Sequence, residues 1–277
     1  MTALSYAARD SLTMLRRNLK HAQRYPSMTA SVVAMPVLML LLFNYAFGGA
    51  LGAGIGGMSG GTGGTIGGTI GGGGSGDRYI DYVAPGIILM AATSGALVTA
   101  VGICVDMTEG IVNRFRTMAI SRASFLTGHV VGSMIQTLIS IAFVIGIALL
   151  IGFRPDATPV EWLAVAGLLA LVTLALTWVA AAIGLMAKTP ESASNIPLPL
   201  QFLPFMGSAI VPTESMPDGL RWFADYQPFT PVIETLRGLL MGTEIGDSAL
   251  ISLAWCVALA LGGYLWARTA YQRSAKR

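Results

Sequence analysis

Charge is what this chain has least of. Only 11% of its 277 residues are Asp, Glu, Lys or Arg, against about 25% in an ordinary soluble domain. So few charges cannot cover 28.9 kDa of chain in water, and a mean hydropathy of +0.67 shows that uncharged polar groups do not supply the difference. A water-soluble protein is excluded. Cysteine is nearly missing too: Cys104 and Cys256 both lie in apolar runs, so neither a disulfide framework nor a thiolate metal site is available. The two histidines, His21 and His129, stand far apart and form no helical HExxH, which removes the zinc-hydrolase signature. Lysine occurs only at Lys20, Lys188 and Lys276, never after a glycine. The phosphate-cradling Gly-Lys-Ser/Thr loop is therefore absent, and the chain has no Walker A site of its own.

What the chain does have is six long apolar runs: Met28 to Phe47, Val83 to Val105, Leu126 to Ile151, Trp162 to Ala187, Ser192 to Val211 and Ser248 to Ala267. None contains Asp, Glu, Lys or Arg, and each has about the 20 residues that span a hydrocarbon core as a helix. Barrel strands alternate over about ten residues, whereas these runs are continuous. The pattern predicts an all-α integral membrane protein with six transmembrane helices. Pro197, Pro199 and Pro204 lie in the fifth run, where each removes a backbone donor, so that span is expected to be kinked.

The Lys and Arg excess marks the cytoplasmic side. Five basic residues precede residue 28, three fall between 106 and 125, one is Lys188 and four follow residue 267; the other side keeps Arg78, Arg154, Arg221 and Arg237. Both termini are expected in the cytoplasm of a multi-pass cell-membrane protein. The first run has basic flanks like a signal peptide, but its length exceeds the usual 7 to 15 residues of a cleaved apolar core, so it reads as a retained anchor.

Residues 1–27 place Leu12, Leu15, Leu19 and Ala22 at helical spacing beside Arg16, Arg17, Lys20 and Arg24. This suits a helix in the cytoplasmic interface, with a solvated basic tail as the alternative. Residues 48–76 hold 17 of the 34 glycines and read as a disordered external loop. The connection at 106–125 puts Ile111, Phe115 and Met118 on one helical face and leaves Arg114, Arg116 and Arg122 for polar contacts. Prolines cut the external stretch at 212–247 into two amphipathic pieces forming a helical hairpin cap, with Leu220 and Phe223 burying one face of the first and Val232, Leu236 and Leu239 one face of the second.

Two of these segments are recognisable. Gly110-Ile-Val-Asn-Arg-Phe-Arg-Thr-Met-Ala-Ile-Ser-Arg122 with Gly128-His129 resembles the cytoplasmic loop of ABC exporter permeases of the daunorubicin-resistance type. Val211-Pro-Thr-Glu-Ser-Met-Pro217 with Gln227-Pro-Phe-Thr-Pro231 and Leu236-Arg-Gly-Leu-Leu240 resembles their second hallmark. The resemblance covers nearly the whole chain as one permease domain, 1–277, and departs from the family at the long glycine-rich insertion and at Ala119, where proline is common. It implies a transport subunit rather than an enzyme, with no cofactor in this chain. Two copies of a separate ATP-binding subunit would carry ATP and Mg, and a second permease, identical or homologous, would complete the complex. It also implies that Glu109 to Arg122 forms the coupling helix seated in the ATPase, with Glu109, Gly110, Arg114, Phe115, Arg116 and Arg122 at the contact.

Uphill transport needs an energy source, and ion-driven carriers usually hold an ionisable residue within the membrane. The six runs hold no carboxylate, which favours a motor on the cytoplasmic face; the alternative is a secondary drug carrier driven by an ion gradient. Thr93, Ser94 and Thr99 on the second span, with Gln201, Phe202, Phe205 and Met206 on the fifth, offer polar and polarisable contacts for a bulky amphipathic ligand. The same residues could equally be interhelical glue and core. His129 suits hydrogen-bonded packing better than a proton relay. An intramembrane serine protease at Ser94 or Ser208 lacks a histidine on the matching side. The expected substrate is a hydrophobic or amphipathic small molecule (drug, antibiotic or lipid-like), in contact with membrane lipid, and nothing points to a nucleic acid.

Overall fold

The computed structural model describes residues 26–47, 75–108, 122–213 and 216–274, and every regular element among them is helical. Helix α1, Pro26–Leu41, runs on through a π-helical turn at Leu42–Phe47. It is followed by α2, Ser75–Thr108, α3, Arg122–Ile151, and α4, Pro159–Met186. Then come α5, Pro190–Asn195, and α6, Leu198–Phe202, which ends in a 3-10 turn at Leu203–Met206. The chain closes with α7, Asp218–Tyr226, α8, Phe229–Met241, and α9, Ser248–Ser274.

Four of these helices, α2, α3, α4 and α9, are long and apolar enough to cross a membrane, and Val32–Ala46 forms a shorter apolar helix where the first run lies. Helix α2 begins well before its apolar run, because Tyr79 and Ile80 are buried and carry the helix past Asp81. Only Ser75 and Gly76 of the glycine-rich segment are therefore seen, as its first turn; residues 48–74 and the basic segment before Pro26 lie outside the described residues. Helix α4 opens on a reciprocal cap. The Thr158 hydroxyl accepts from the Glu161 amide at 3.4 Å, the Glu161 carboxylate accepts from the Thr158 amide at 2.6 Å, and Pro159 takes the first turn, where no donor is needed.

Helix α4 is the axis of the bundle, packed most extensively against α9 and α2. Glycine sets both contacts. A Cβ on Gly184 would lie 2.5 Å from the Ala100 carbonyl oxygen of α2, and one on Gly263 of α9 would lie 2.8 Å from the Val179 amide nitrogen of α4. Backbones meet there directly, as membrane helices do when small residues let them. Helices α2 and α4 are mostly buried within the chain, whereas α3 and α9 turn most of their apolar surface outward.

The run at 192–211 goes further than a kink. Pro199 has no N–H for the Asn195 carbonyl and Pro204 none for Leu200, so the chain breaks into α5, α6 and the 3-10 turn. It nevertheless climbs antiparallel along α2. Cys104 Sγ donates to the Ala187 carbonyl just before α5 at 3.6 Å, Gln201 meets Ser94, and Ala209 lies on Gly86, where an added Cβ would be 2.5 Å from that of Ala209. From Cys104 to Gly86 along α2 is about 27 Å at 1.5 Å per residue.

The stretch after it contains two helices, α7 and α8, and the second is part of the core: Val232, Ile233, Leu236 and Leu240 are buried and Leu239 is half-buried. The first differs from expectation. Leu220 and Phe223 each stay 38% exposed, and Ala224 is the buried residue of this short helix.

Candidate functional site

Two ends and one flank of the bundle carry the polar chemistry. At the end where α2 stops and α3 starts, Glu109, Gly110, Arg114, Phe115 and Arg116 lie outside the described residues, and so does the side chain of Arg122, the first residue of α3. The base of that connection is described. His129 Nδ1 of α3 lies 3.7 Å from Asp106 Oδ2 of α2, both side chains largely buried, and a Cβ on Gly102 would come within 3.6 Å of His129 Nε2. The histidine thus packs over one turn of α2 against a carboxylate, and clamps the two helices together where the connection begins and ends. At the same end, the Thr189 hydroxyl caps α5 by accepting from the Ser192 amide at 3.3 Å. A backbone amide and the Thr189 hydroxyl hold the Glu191 carboxyl below its ordinary range.

On the flank, the ligand-path residues separate into three groups. Thr93 and Thr99 are buried, and their hydroxyls donate to their own helix, to the Met90 and Gly95 carbonyls, at 2.9 Å each. Ser94 and Gln201 are brought together, with Gln201 Nε2 donating to Ser94 Oγ at 3.2 Å while Ser94 donates to the Met90 carbonyl at 2.9 Å. Phe202, Phe205 and Met206 follow Gln201 in the chain, with Phe202 57% and Met206 43% exposed. Phe205 lies between two rings, 6.5 Å from Phe202 and 6.5 Å from Phe43 of the π-helical turn after α1. Helix α1 extends the apolar surface with Leu38, Leu42 and Tyr45, all exposed. The Asn44 side-chain oxygen, beside Phe43, is buried with no hydrogen-bond partner among the described residues. A row of aromatic and thioether surface backed by single amides suits a flat, largely apolar molecule with a few polar groups.

At the other end, a buried polar node joins four elements. Arg237 of α8 donates through Nη2 to the Ser208 carbonyl at 2.7 Å and to the Tyr82 carbonyl of α2 at 3.2 Å, and its guanidinium lies 3.8 Å from the centroid of the Tyr82 ring. Beside it, Gln227 Nε2 donates to Thr230 Oγ1 at 3.2 Å, and Gly207 lies directly over both. Glu234 accepts from Ser248 of α9 at 2.8 Å, and Thr235 reaches Ser252 at 3.4 Å. Phe43, Asn44, Asp106 and Arg237 are absent from the sequence-derived site. Arg237 lies within a quoted motif, but a charge outside the apolar runs reads as solvated, and nothing local reveals that α8 is core. Among the described residues no cluster of His, Cys, Asp and Glu is placed to hold a metal ion.

Comparison with known proteins brings this geometry into a family context. The family model described as ABC-2 type transporter matches residues 10–241. The daunorubicin resistance ABC transporter permease protein DrrB1 of Streptomyces coeruleorubidus is 28% identical over 173 residues, 61% of this chain and 60% of that protein. The probable doxorubicin resistance ABC transporter permease protein DrrC of Mycobacterium tuberculosis is 23% identical over 180 residues, 64% of each chain. ABC transporter G family member 20 of Dictyostelium discoideum is 24% identical over 199 residues, 68% of this chain but 26% of its own. The matched part thus spans somewhat under two thirds of the first two relatives.

Proposed function

The chain belongs to the ABC-2 type transporter family, and from that premise we propose that it is the permease subunit of an ATP-driven exporter moving a hydrophobic or amphipathic small molecule out across the cytoplasmic membrane. The observation that carries this reading is the family match over residues 10–241 of a chain with four apolar helices of membrane-crossing length. The first apolar helix and the proline-broken segment supply the fifth and sixth crossings. Two copies of an ATP-binding subunit hold ATP and Mg, and a second permease, identical or homologous, completes the path.

In this reading the connection at 109–122 seats in the ATPase, and the Asp106–His129 clamp passes its movement to α2 and α3. Helix α2 carries the broken segment along its length, so a shift of α2 alters the flank where Gln201, Phe202, Phe205 and Phe43 lie. Population shift between inward-open and outward-open states then moves the ligand. An ion-driven carrier working alone is less well supported, because none of the six apolar runs contains Asp or Glu. The part-buried side chain of Arg237 is a guanidinium, which keeps its proton at any physiological pH and cannot relay one.

The test is reconstitution into proteoliposomes with the ATPase subunit that co-purifies from the native membrane. Fluorescent doxorubicin serves as probe, since two relatives are named for anthracycline resistance. Export that needs ATP and the second subunit is expected. Transport by this chain alone under a proton gradient would refute the proposal in favour of the carrier.

A further inference from the structure

We propose that Arg237 is a positioning residue that ties the free end of the proline-broken segment to helix α8, so that the two move as one piece when the path opens at the hairpin end. Its role in transport rests on the exporter reading above; its mechanical role does not.

One of the two carbonyls it holds lies beside a backbone break. In a continuous helix the Ser208 carbonyl would accept from residue 212, but that residue is Pro212 and has no N–H. The chain has in any case left helical geometry at Gly207, whose φ of −106° and ψ of −157° are extended. Tyr82 lies in α2, which runs on as one helix past Pro85; Pro85 has no N–H for the neighbouring Asp81 carbonyl. One nitrogen of Arg237 carries two hydrogens and gives one to each of these oxygens, while the flat guanidinium stacks on the Tyr82 ring. An ammonium has neither the plane nor the fork, so lysine is not an equivalent.

The rest of α8 is fastened in another direction. Glu234 and Thr235 bind it to Ser248 and Ser252 of α9. The broken segment also meets the hairpin where Gly207 rests on Gln227 and Thr230, and that contact is packing without direction. Arg237 is therefore a directional bond between a segment whose helical ladder is interrupted and a helix anchored to the frame. Without it, the hairpin end of the segment keeps its packing and loses the bond that makes it follow α8.

The experiment compares wild type, Arg237→Lys and Arg237→Met as complexes with the ATPase subunit in lipid nanodiscs. Hydrogen exchange is followed at 203–213, 229–241 and, as internal reference, 248–260. Expected are about tenfold faster exchange at 203–213 in Arg237→Met, a smaller change in Arg237→Lys, and an unchanged reference. ATP hydrolysis should persist while doxorubicin export falls tenfold or more. Unchanged exchange at 203–213 in both variants would overturn the tether, and so would equal acceleration in the reference, which means general loosening. Accelerated exchange with normal export would remove its part in transport. If Arg237→Met does not assemble, Arg237→Lys carries the same comparison. A wild-type complex that exports no doxorubicin counts against the exporter reading, and exchange in that same sample still decides the tether.

Discussion

Replacing Gly184 with alanine should destabilise the bundle, although the same change at an open helical position stabilises it. At Gly184 the new methyl carbon would lie 2.5 Å from the Ala100 carbonyl oxygen, 3.2 Å from its carbon and 3.1 Å from Ile103 Cβ. Even close carbon–oxygen contacts between helices are about 3.3–3.6 Å, so α2 and α4 must part by nearly an ångström along a seam where backbone, not a flexible side chain, is in the way. Overpacking of this kind costs about 1–3 kcal/mol, against a gain of roughly 0.5–1 kcal/mol from removing a helical glycine. Gly167, on the same helix with nothing within 4 Å of its added Cβ, isolates that gain. Heating detergent-solubilised samples and measuring the fraction still monodisperse should show Gly184→Ala lowered by several degrees and Gly167→Ala unchanged or slightly raised. Trp178, packed edge-on to Tyr264 with ring centroids 5.0 Å apart across the α4–α9 contact, gives a fluorescence signal in the same bundle. Equal midpoints for the two variants would refute the backbone contact and with it the placement of α4 as the axis.

Cysteines at Ser75 and Ser274 should be labelled from opposite sides of intact cells, Ser75→Cys from outside, with little background because Cys104 and Cys256 are buried; equal access at both positions would contradict the proposed orientation. Glu109→Ala and Arg114→Ala should leave permease yield normal and weaken ATPase retention or stimulated hydrolysis, since losing one partner of a buried charge pair costs about 2–5 kcal/mol. Normal transport in both would remove them from coupling, and collapsed yield would make them structural. Gln201→Leu deletes one hydrogen bond to Ser94, worth about 1 kcal/mol, so the complex should assemble while the ranking of exported drugs changes; an unchanged ranking would place the ligand elsewhere.

The apolar frame is legible in sequence because lipid forces it: four of the six runs appear as long helices with ends close to where the charges begin. Helix α2 shows why ends are harder. Asp81 stops the apolar run, yet the helix extends back through buried Tyr79 and Ile80 to Ser75. At the fifth run the prolines announce a disturbance but not its form, since whether a broken ladder kinks or splits depends on what receives the released carbonyls. At its far end the Ser208 carbonyl is held by Arg237, which comes from a separate segment further along the chain. Of the candidate ligand-path residues, Ser94 and Gln201 meet across the two spans. Thr93, Ser94 and Thr99 all donate to their own helix turn, and what the sequence does not show is that Ser94 also accepts from Gln201. For α7, neither Leu220 nor Phe223 reveals that Ala224 is the buried residue.

The direct backbone contacts of α4 with α2 and α9 divide the chain by stiffness. Packing at Gly184 and Gly263 leaves no slack, so these three helices resist sliding. The broken segment and α8 also meet closely at Gly207, but in addition they share a polar node, where Arg237 holds the Ser208 carbonyl, and such bonds can be exchanged for others. Thermostability and turnover are therefore adjustable on different residues. Helix-forming substitutions on the outward faces of α3, α4 and α9 should raise heat resistance without slowing export, whereas added rigidity near Gly207 or Arg237 should trade turnover for stability. A laboratory wanting a hardier protein should begin with the frame and leave the polar node at Arg237 alone.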